Sequence, residues 1–259
     1  MIEVEQSGHV VVLRMAHGKA NTMDTALCVE LTRQLQALEA AACRAVVLTG
    51  TGSSFSAGAD LSQVLDGGSA YLDAFLPALS TALDTLFRFP KPIVAAVNGH
   101  AIAGGCVLVC ACDRRLMAAG RARIGTPELL VGVPFPMAGL EIMRFATAGQ
   151  GLADLLYTGA THDAVEAARR GLIDEVVPDQ ELPGRALEAA ARLGDMPTEA
   201  FRLTKTLLRR PFFAALDAQR AAADIETANA WASAEVLTAM RRYADRTLGP
   251  RAAASAPAQ

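Results

Sequence analysis

Two stretches of the sequence, AVVLTGTGSSFSAGAD at residues 45–60 and KPIVAAVNGHAIAGG at residues 91–105, share one pattern. Each contains a short apolar run, Ala45–Thr49 or Ile93–Val97, and a glycine-rich loop follows each run. Uninterrupted apolar runs of this length are typical of strands buried on both faces. A helical pattern at Tyr71–Phe89 lies between the two stretches. The alternation of helix, strand and glycine loop predicts a parallel sheet in an α/β fold.

The sequence before these stretches predicts a hairpin and a helix. Ile2–Gln6 and His9–Met15 favour two strands that turn at Ser7-Gly8. A helix follows Asp24, a good N-cap residue, and its leucines recur at the spacing of one helix face. These leucines are Leu27, Leu31, Leu35 and Leu38.

The sequence after Pro197 contains only helical patterns. They cover Thr198–Arg209, Phe212–Ala230 and Ala232–Thr247. We therefore expect an α/β core at residues 1–195 and a helical region at residues 196–249. Residues 250–259 are small residues and proline, which predict a disordered tail.

Composition and charge exclude several classes of protein. The 259 residues are 52% hydrophobic and 20% charged, which allows a sizeable core and excludes global disorder. A net charge of −3 offers no basic surface to a phosphate backbone, so nucleic-acid binding is not expected. The longest apolar run, Ala101–Cys112, is shorter than the roughly 20 residues that span a bilayer, so no membrane span is expected. Glu3 and Glu5 near the start do not fit a secretory leader.

The five cysteines indicate a reducing compartment. Their number is odd and their neighbours are apolar, which is typical of reduced thiols and predicts a cytoplasmic protein. Cys106, Cys110 and Cys112 lie close together in sequence. Their neighbours are valine and leucine, which cannot orient metal ligands, so no metal site is expected.

The two glycine loops fit some chemistries and exclude others. A dinucleotide-binding loop would need a glycine at Phe55, and a P-loop would need a lysine at Ala59. A serine nucleophile elbow would need glycines on both sides of the serine, and Ser53, Ser54 and Ser56 lack them. Small residues with free backbone amides remain. They suit an oxyanion hole, in which backbone donors stabilise charge that develops on a carbonyl oxygen.

Further short motifs, together with the two loops, identify a family. They are Phe55–Leu61, Lys91–Gly99, Ala103–Cys106, Cys112–Arg114, Gly125–Glu128, Leu130–Gly132, Tyr157–Gly159, Ala167–Ala168 and Gly171–Asp174. In this order, over roughly residues 2–210, the chain resembles the crotonase superfamily and its enoyl-CoA hydratase/isomerase family. The resemblance implies a spiral of ββα repeats with a C-terminal helical region that builds trimers, often paired into hexamers.

The same resemblance implies an acyl-CoA thioester as substrate and no separate cofactor. Family members hold a thioester enolate between two backbone amides, which by position belong to Ala59 and Gly104. The segment 57–61 would also hold coenzyme A through main-chain groups, with Ala57, Asp60 and Leu61 as binding residues beside Ala59 and Gly104. Lys19 and Ala20 occupy the place of further coenzyme A contacts, in a loop one residue shorter than in typical hydratases.

The acidic residues decide which reaction is expected. Family hydratases carry two glutamates that hold one water molecule; here the first position is Val107 and the second is Glu128. Valine cannot orient water or exchange a proton, so efficient hydration is not expected. A single carboxylate can still move a proton from C2 to C4 of a 3-enoyl thioester. The pattern resembles the family's Δ3,Δ2-enoyl-CoA isomerases, and this is the leading interpretation.

Other interpretations remain open at the level of sequence. They are a hydratase with one glutamate, another crotonase reaction such as decarboxylation or thioester hydrolysis, and a non-catalytic acyl-CoA-binding protein. Apolar residues after Pro197, including Phe212, Phe213 and Trp231, favour self-association that buries them between protomers.

Four polar residues besides Glu128 are expected to have structural roles. Glu141 and His100 are expected to support packing, and Asp60 to end a turn or cap a helix. Asp113 is expected to close the apolar run as a buried, hydrogen-bonded residue.

Overall fold

The computed structural model describes residues 1–149 and 151–247, and this part of the chain forms ten strands and ten α-helices. The strands are β1 (Ile2–Ser7), β2 (Val10–Met15), β3 (Ala45–Gly50), β4 (Ser54–Ser56), β5 (Ile93–Val97), β6 (His100–Ile102), β7 (Arg114–Ala118), β8 (Ile124–Gly125), β9 (Thr161–His162) and β10 (Glu175–Val177). The helices are α1 (Thr25–Ala40), α2 (Leu61–Arg88), α3 (Gly104–Ala111), α4 (Glu128–Val131), α5 (Met137–Ala146), α6 (Leu152–Thr158), α7 (Ala164–Arg169), α8 (Leu182–Gly194), α9 (Thr198–Trp231) and α10 (Ala234–Thr247).

The strands form two sheets. The larger sheet has the order β1-β2-β3-β5-β7-β10, with β1 antiparallel to β2 and the other neighbours parallel. The smaller sheet has the order β4-β6-β8-β9 and is parallel except between β8 and β9. Three successive units therefore each place one strand in the larger sheet, the next in the smaller sheet, and then a helix. This arrangement confirms the predicted α/β class and the spiral of ββα repeats.

The central strands β3 and β5 of the larger sheet are buried on both faces, as their uninterrupted apolar sequences predict. In β3, Val46 and Leu48 belong to the main core, whereas Ala45 and Val47 face the opposite side, which packs on α8. Successive side chains of a strand point to opposite faces, so a strand covered twice needs apolar residues at every position.

The helix predicted at Tyr71–Phe89 begins ten residues earlier than expected. Asp60 caps α2 at Leu61 by accepting hydrogen bonds from the backbone N–H groups of Ser62 and Gln63. The backbone leaves helical geometry at Gly68, where φ is 56°. The Gly67-Gly68 pair obscured the first turns in the sequence, because glycine interrupts a helical pattern even where the chain resumes it after a kink.

The helices predicted at Thr198–Arg209 and Phe212–Ala230 are one helix, α9, which is a correction. Pro211 lies inside it and supplies no N–H, yet the helix continues to Trp231. α9 packs along α2 and α5, and this packing outweighs the hydrogen bond that proline removes. The last predicted helix, Ala232–Thr247, corresponds to α10.

Charged side chains attach α9 to the core. Arg209, 1% exposed, donates to the carbonyl oxygens of Phe87 and Ala111 at 2.6 and 3.1 Å and to Asp113 at 2.8 Å. Lys205 donates to the other carboxylate oxygen of Asp113 at 2.7 Å. Asp113 also accepts the backbone N–H of Ile93, so it is a largely buried, hydrogen-bonded residue, as its sequence position suggested.

The described residues contain no helix that is both long and apolar enough to cross a membrane. They also contain no group of three or more His, Cys, Asp or Glu side chains arranged to hold a metal ion. The predicted tail at residues 250–259 lies outside the described residues.

Candidate active site

The first glycine loop follows β4 and is held against the segment that precedes α1. The backbone N–H of Met23 donates to the Gly58 carbonyl at 2.7 Å, and the Met23 carbonyl accepts the Asp60 N–H at 3.0 Å. In this parallel bridge, the N–H and C=O groups of Ala59 itself point away from Met23. The Ala59 amide is thus left to donate to another group.

The second glycine loop follows β6 and opens α3. Ala103 has a positive φ of 54°, and its N–H donates to the Gly125 carbonyl at 2.8 Å. The helix makes its first backbone hydrogen bond from Val107 to Ala103, so the N–H of Gly104 has no partner within the helix. The N-terminus of a helix also carries partial positive charge, which favours a developing oxyanion.

The two loops lie in contact. A Cβ atom built on Gly58 would lie 3.1 Å from the Gly104 nitrogen, and one built on Gly104 would lie 3.7 Å from the Gly58 Cα. Gly105 passes so close to β4 that a Cβ atom there would lie 2.2 Å from the Ser56 carbonyl oxygen. Only glycine therefore fits at residue 105, and this close approach brings the start of α3 beside Ala59.

Glu128 is the first residue of α4 and is held in an apolar setting. It is 7% exposed, and its Oε2 atom has no hydrogen-bond partner in the described part of the chain. Burial disfavours the charged form and raises the pKa of Glu128 from 4.5 to about 8. A carboxyl group of this kind is suited to accept and return protons near neutral pH.

One pocket joins these features, and the empty space within it, including solvent at its open side, is about 690 Å³. Among the described residues that line it, the side chains are apolar except for the carboxyl group of Glu128, the hydroxyl group of Tyr243 and the indole N–H of Trp231. Val107, which occupies the place of the first family glutamate, is 2% exposed and lines the same cavity. The lining residues are Ala57, Ala59, Leu61, Leu79, Leu83, Ile102, Ala103, Gly104, Val107, Pro127, Glu128, Val131, Val133, Phe135, Pro136, Gly139, Trp231 and Tyr243.

The residues suggested for coenzyme A binding fall into three groups. Ala57, Ala59, Leu61 and Gly104 line the cavity beside Glu128. Asp60 is not among the lining residues and caps α2, as the sequence also suggested. Lys19 is exposed and Ala20 is half-buried, and the Ala20 carbonyl accepts the Ala57 N–H at 3.0 Å, which places their loop against the first glycine loop.

The remaining polar candidates lie outside the cavity lining. Glu141 is buried and pairs with Arg144 at 2.6 Å, and His100 accepts the backbone N–H of Arg123 through its Nδ1 atom at 3.1 Å. Both contacts fit the structural roles inferred from sequence.

Sequence reasoning missed the part of the cavity that comes from the end of the chain. Trp231 and Tyr243 line it, although their sequence context gives no signal for a site. Trp231 was expected to be covered by another protomer, but it is 3% exposed within this chain, which is a correction. Phe212 and Phe213 are partly buried against the same core.

Comparisons with known proteins agree with this geometry. A family model described as enoyl-CoA hydratase/isomerase matches residues 5–248. A putative enoyl-CoA hydratase of Thermus thermophilus is 38% identical over 242 residues, which cover 89% of this chain and 91% of the relative. A probable enoyl-CoA hydratase of Mycobacterium tuberculosis is 36% identical over 172 residues; that match spans 66% of the chain and 66% of the relative, just under two thirds.

The shape of the chain is similar to that of a solved isomerase. The crystal structure of human mitochondrial delta3-delta2-enoyl-CoA isomerase superposes with a TM-score of 0.92 at 26% sequence identity and covers 97% of this chain and 99% of that chain. The family model, the relatives and the shared fold agree with one another. The chain is therefore a member of the enoyl-CoA hydratase/isomerase family of the crotonase superfamily, and it is an enzyme of that family.

Proposed function

We propose that the protein is a Δ3,Δ2-enoyl-CoA isomerase that moves a double bond along the acyl chain of a coenzyme A thioester. The observation that carries the proposal is the buried carboxyl group of Glu128, whose Oε2 atom has no hydrogen-bond partner among the described residues, in a cavity that Val107 also lines. One carboxyl group is enough for a proton shift, whereas hydration uses two groups to activate and place a water molecule.

The proposed reaction begins with the thioester carbonyl between the Ala59 and Gly104 amides. Carboxylate Glu128 removes a proton from C2, the C2–H electron pair enters the conjugated system, and negative charge collects on the thioester oxygen. The two amides stabilise that charge because they already point at it. The proton then returns from Glu128 to C4. The double bond ends between C2 and C3, and no redox cofactor is needed because no electrons leave the substrate.

The apolar surroundings of Glu128 support both halves of this cycle. Burial raises its pKa to about 8, which makes the carboxylate a stronger base than an exposed glutamate. The resulting carboxylic acid holds its proton long enough to deliver it to C4 instead of losing it to water. Val107 fills the place from which a second carboxylate would hold water, so no water molecule is held there to add to C3 of the 2-enoyl product.

A spectrophotometric comparison of 3-enoyl-CoA and 2-enoyl-CoA tests the proposal. We expect purified protein to convert 3-enoyl-CoA to the conjugated 2-enoyl product and to hydrate 2-enoyl-CoA much more slowly. Fast hydration of 2-enoyl-CoA with little isomerisation would instead identify a hydratase, the activity named for the T. thermophilus relative. Release of free coenzyme A or carbon dioxide would identify a hydrolase or a decarboxylase.

Three further proposals belong with this function. Lys19 and the main chain of residues 57–61 bind coenzyme A, protomers assemble as trimers or pairs of trimers, and the enzyme works in the cytoplasm. The exposure of Lys19 and the contact between its loop and Ala57 support the first of these.

Lys19→Ala should raise the KM for acyl-CoA without a comparable change in kcat, because it removes a ligand contact distant from the reacting carbons.

A further inference from the structure

The residues that line the cavity are of two chemical kinds. The glycine loops and Glu128 offer backbone donors and a carboxyl group to the proposed thioester. A second set, which we call the wall, consists of hydrocarbon and aromatic side chains from elements distant in sequence. Its members are Leu79 and Leu83 of α2, Val133 and Phe135 before α5, Trp231 at the end of α9, and Tyr243 of α10.

Trp231 is a fixed part of this wall. Its indole N–H donates to the Pro134 carbonyl at 3.0 Å, and its ring centroid lies 6.4 Å from that of Phe75. It is 3% exposed and ends α9, so both the ring and the backbone that carries it are held by neighbours. A ligand cannot displace a side chain of this kind without breaking buried contacts.

Tyr243 is held through the helix that carries it. α10 packs against α2 and against α4, the short helix that begins with Glu128. The contact is close at Gly132, where an added Cβ atom would lie 2.6 Å from the Cβ of Ala239. The C-terminal helix is therefore seated on the helix of the proposed base, and Tyr243 is half-buried at the cavity wall.

The wall offers no partner to a charged acyl group. Among the described residues that line the cavity, Glu128 is the one charged side chain, and lysine, arginine and histidine are absent. A carboxylate at the far end of an acyl chain would lose its hydration without gaining a cation or a set of donors. Such a burial costs far more than the burial of a methyl group.

We propose that Trp231 and Tyr243 close the end of the acyl site and set the longest acyl chain that it accepts, and that the site rejects chains with a terminal carboxylate. This inference rests on the proposed function for the position of the thioester at Ala59 and Gly104. In the proposed arrangement, a chain anchored there runs along the wall and ends at the two aromatic rings.

Binding of saturated acyl-CoA thioesters tests the inference without any turnover. Calorimetric titration of the wild-type protein with butanoyl-, hexanoyl-, octanoyl-, decanoyl- and dodecanoyl-CoA should show affinity that increases with length up to a limit. Beyond the limit, we expect each added methylene to weaken binding by about 10-fold or more, the scale of a misfit in an apolar pocket. The terminally carboxylated analogue of the best-bound chain should bind at least about 100-fold more weakly.

Variants of the wall should move the limit in opposite directions. Tyr243→Ala and Trp231→Phe enlarge the cavity and should extend the limit to longer chains, whereas Tyr243→Phe keeps the ring and should leave it unchanged. Gly139→Ala should shorten it, because the added Cβ atom lies 3.6–3.8 Å from Phe135 and Pro136, at ordinary contact distance, and reduces the space beside them. Tyr243→Ala is the main variant because the side chain is only half-buried.

The outcomes separate this inference from the proposed function. An unchanged limit in folded Tyr243→Ala and Trp231→Phe, or equal binding of the carboxylated analogue, overturns the inference even if 3-enoyl-CoA is isomerised. A clear limit that moves with the variants supports it even if 3-enoyl-CoA is not isomerised, in which case the proposed function fails alone. No binding of any acyl-CoA overturns both.

Discussion

Glu128 is the residue on which the proposed chemistry depends, because it is the one charged side chain among the described residues that line the cavity. Replacement by glutamine keeps the volume and the polarity but removes the ability to accept the C2 proton. We expect Glu128→Gln to reduce kcat for 3-enoyl-CoA to background while binding of saturated acyl-CoA changes little. Steady-state kinetics and calorimetry on one preparation check this. Isomerisation that persists in Glu128→Gln would mean that another group moves the proton.

The ionisation of Glu128 predicts a pH profile. Burial raises its pKa from 4.5 to about 8, so only about one molecule in ten carries the carboxylate at pH 7. Because the carboxylate is the active form, kcat/KM should rise with pH and reach half of its plateau near pH 8. The folded protein binds this proton more tightly than the unfolded chain does, so the same group should lower stability as pH increases from about 4.5 to 8. A kcat/KM that does not change with pH around pH 8 would contradict the assignment of Glu128 as the base.

Two substitutions of Gly104 test whether its backbone N–H belongs to the oxyanion hole. Gly104→Pro removes the backbone N–H, and we expect turnover to fall by about 10²–10³-fold, the usual cost of one oxyanion donor. Gly104→Ala keeps the N–H; its Cβ atom would lie 2.9 Å from the Met23 Sδ atom, which is the end region of a flexible side chain and can move. It is therefore the matched control. Wild-type turnover in a folded Gly104→Pro variant would remove Gly104 from the mechanism.

At the scale of elements, the ββα units were accessible from sequence because their signals are local. Apolar runs marked β3 and β5, and the glycine loops after them marked the sites where backbone segments approach closely, as Gly105 and Ser56 do. The short strands β4 and β6 were missed within those loops, because three residues give no readable period. Pro211 suggested a helix end that packing overrides. The position of Trp231 and Tyr243 was not predictable, because these residues are distant from Glu128 in sequence and line the same cavity only through tertiary packing.

The position of α9 depends on the buried charges around Asp113. Removal of one of these charges is therefore expected to destabilise the protein strongly. Arg209 fills a site between aromatic rings, with its guanidinium carbon 4.5 Å from the Phe87 centroid. Arg209→Leu removes the donor to the Phe87 and Ala111 carbonyl oxygens and leaves the buried Asp113 carboxylate with Lys205 and the Ile93 N–H. We expect a loss of about 3–5 kcal/mol in the free energy of unfolding, measured by urea titration. Arg210→Leu, at the exposed neighbouring position, is the control and should change it by less than about 1 kcal/mol.

At the scale of the whole molecule, the division of the chain near residue 195 stays a prediction. The contacts of Arg209 and Trp231 show that residues 196–247 complete both the core and the cavity. Stability measurements on a fragment of residues 1–195 would show whether that part folds on its own.

The exposed apolar side chains of the protomer predict self-association. Leu130 of α4 is 53% exposed and Tyr157 of α6 is 74% exposed, and these two helices pack against each other. Exposed apolar groups that lie together are commonly covered by a second copy, and closed symmetry then limits the assembly. We expect a trimer or a pair of trimers in light scattering at micromolar concentration. Tyr157→Asp should weaken the assembly, whereas Val29→Asp on α1, 55% exposed in the wild type, should not. A monomeric wild-type protein would contradict this prediction and would show that the Leu130 and Tyr157 side chains are not covered by a second copy.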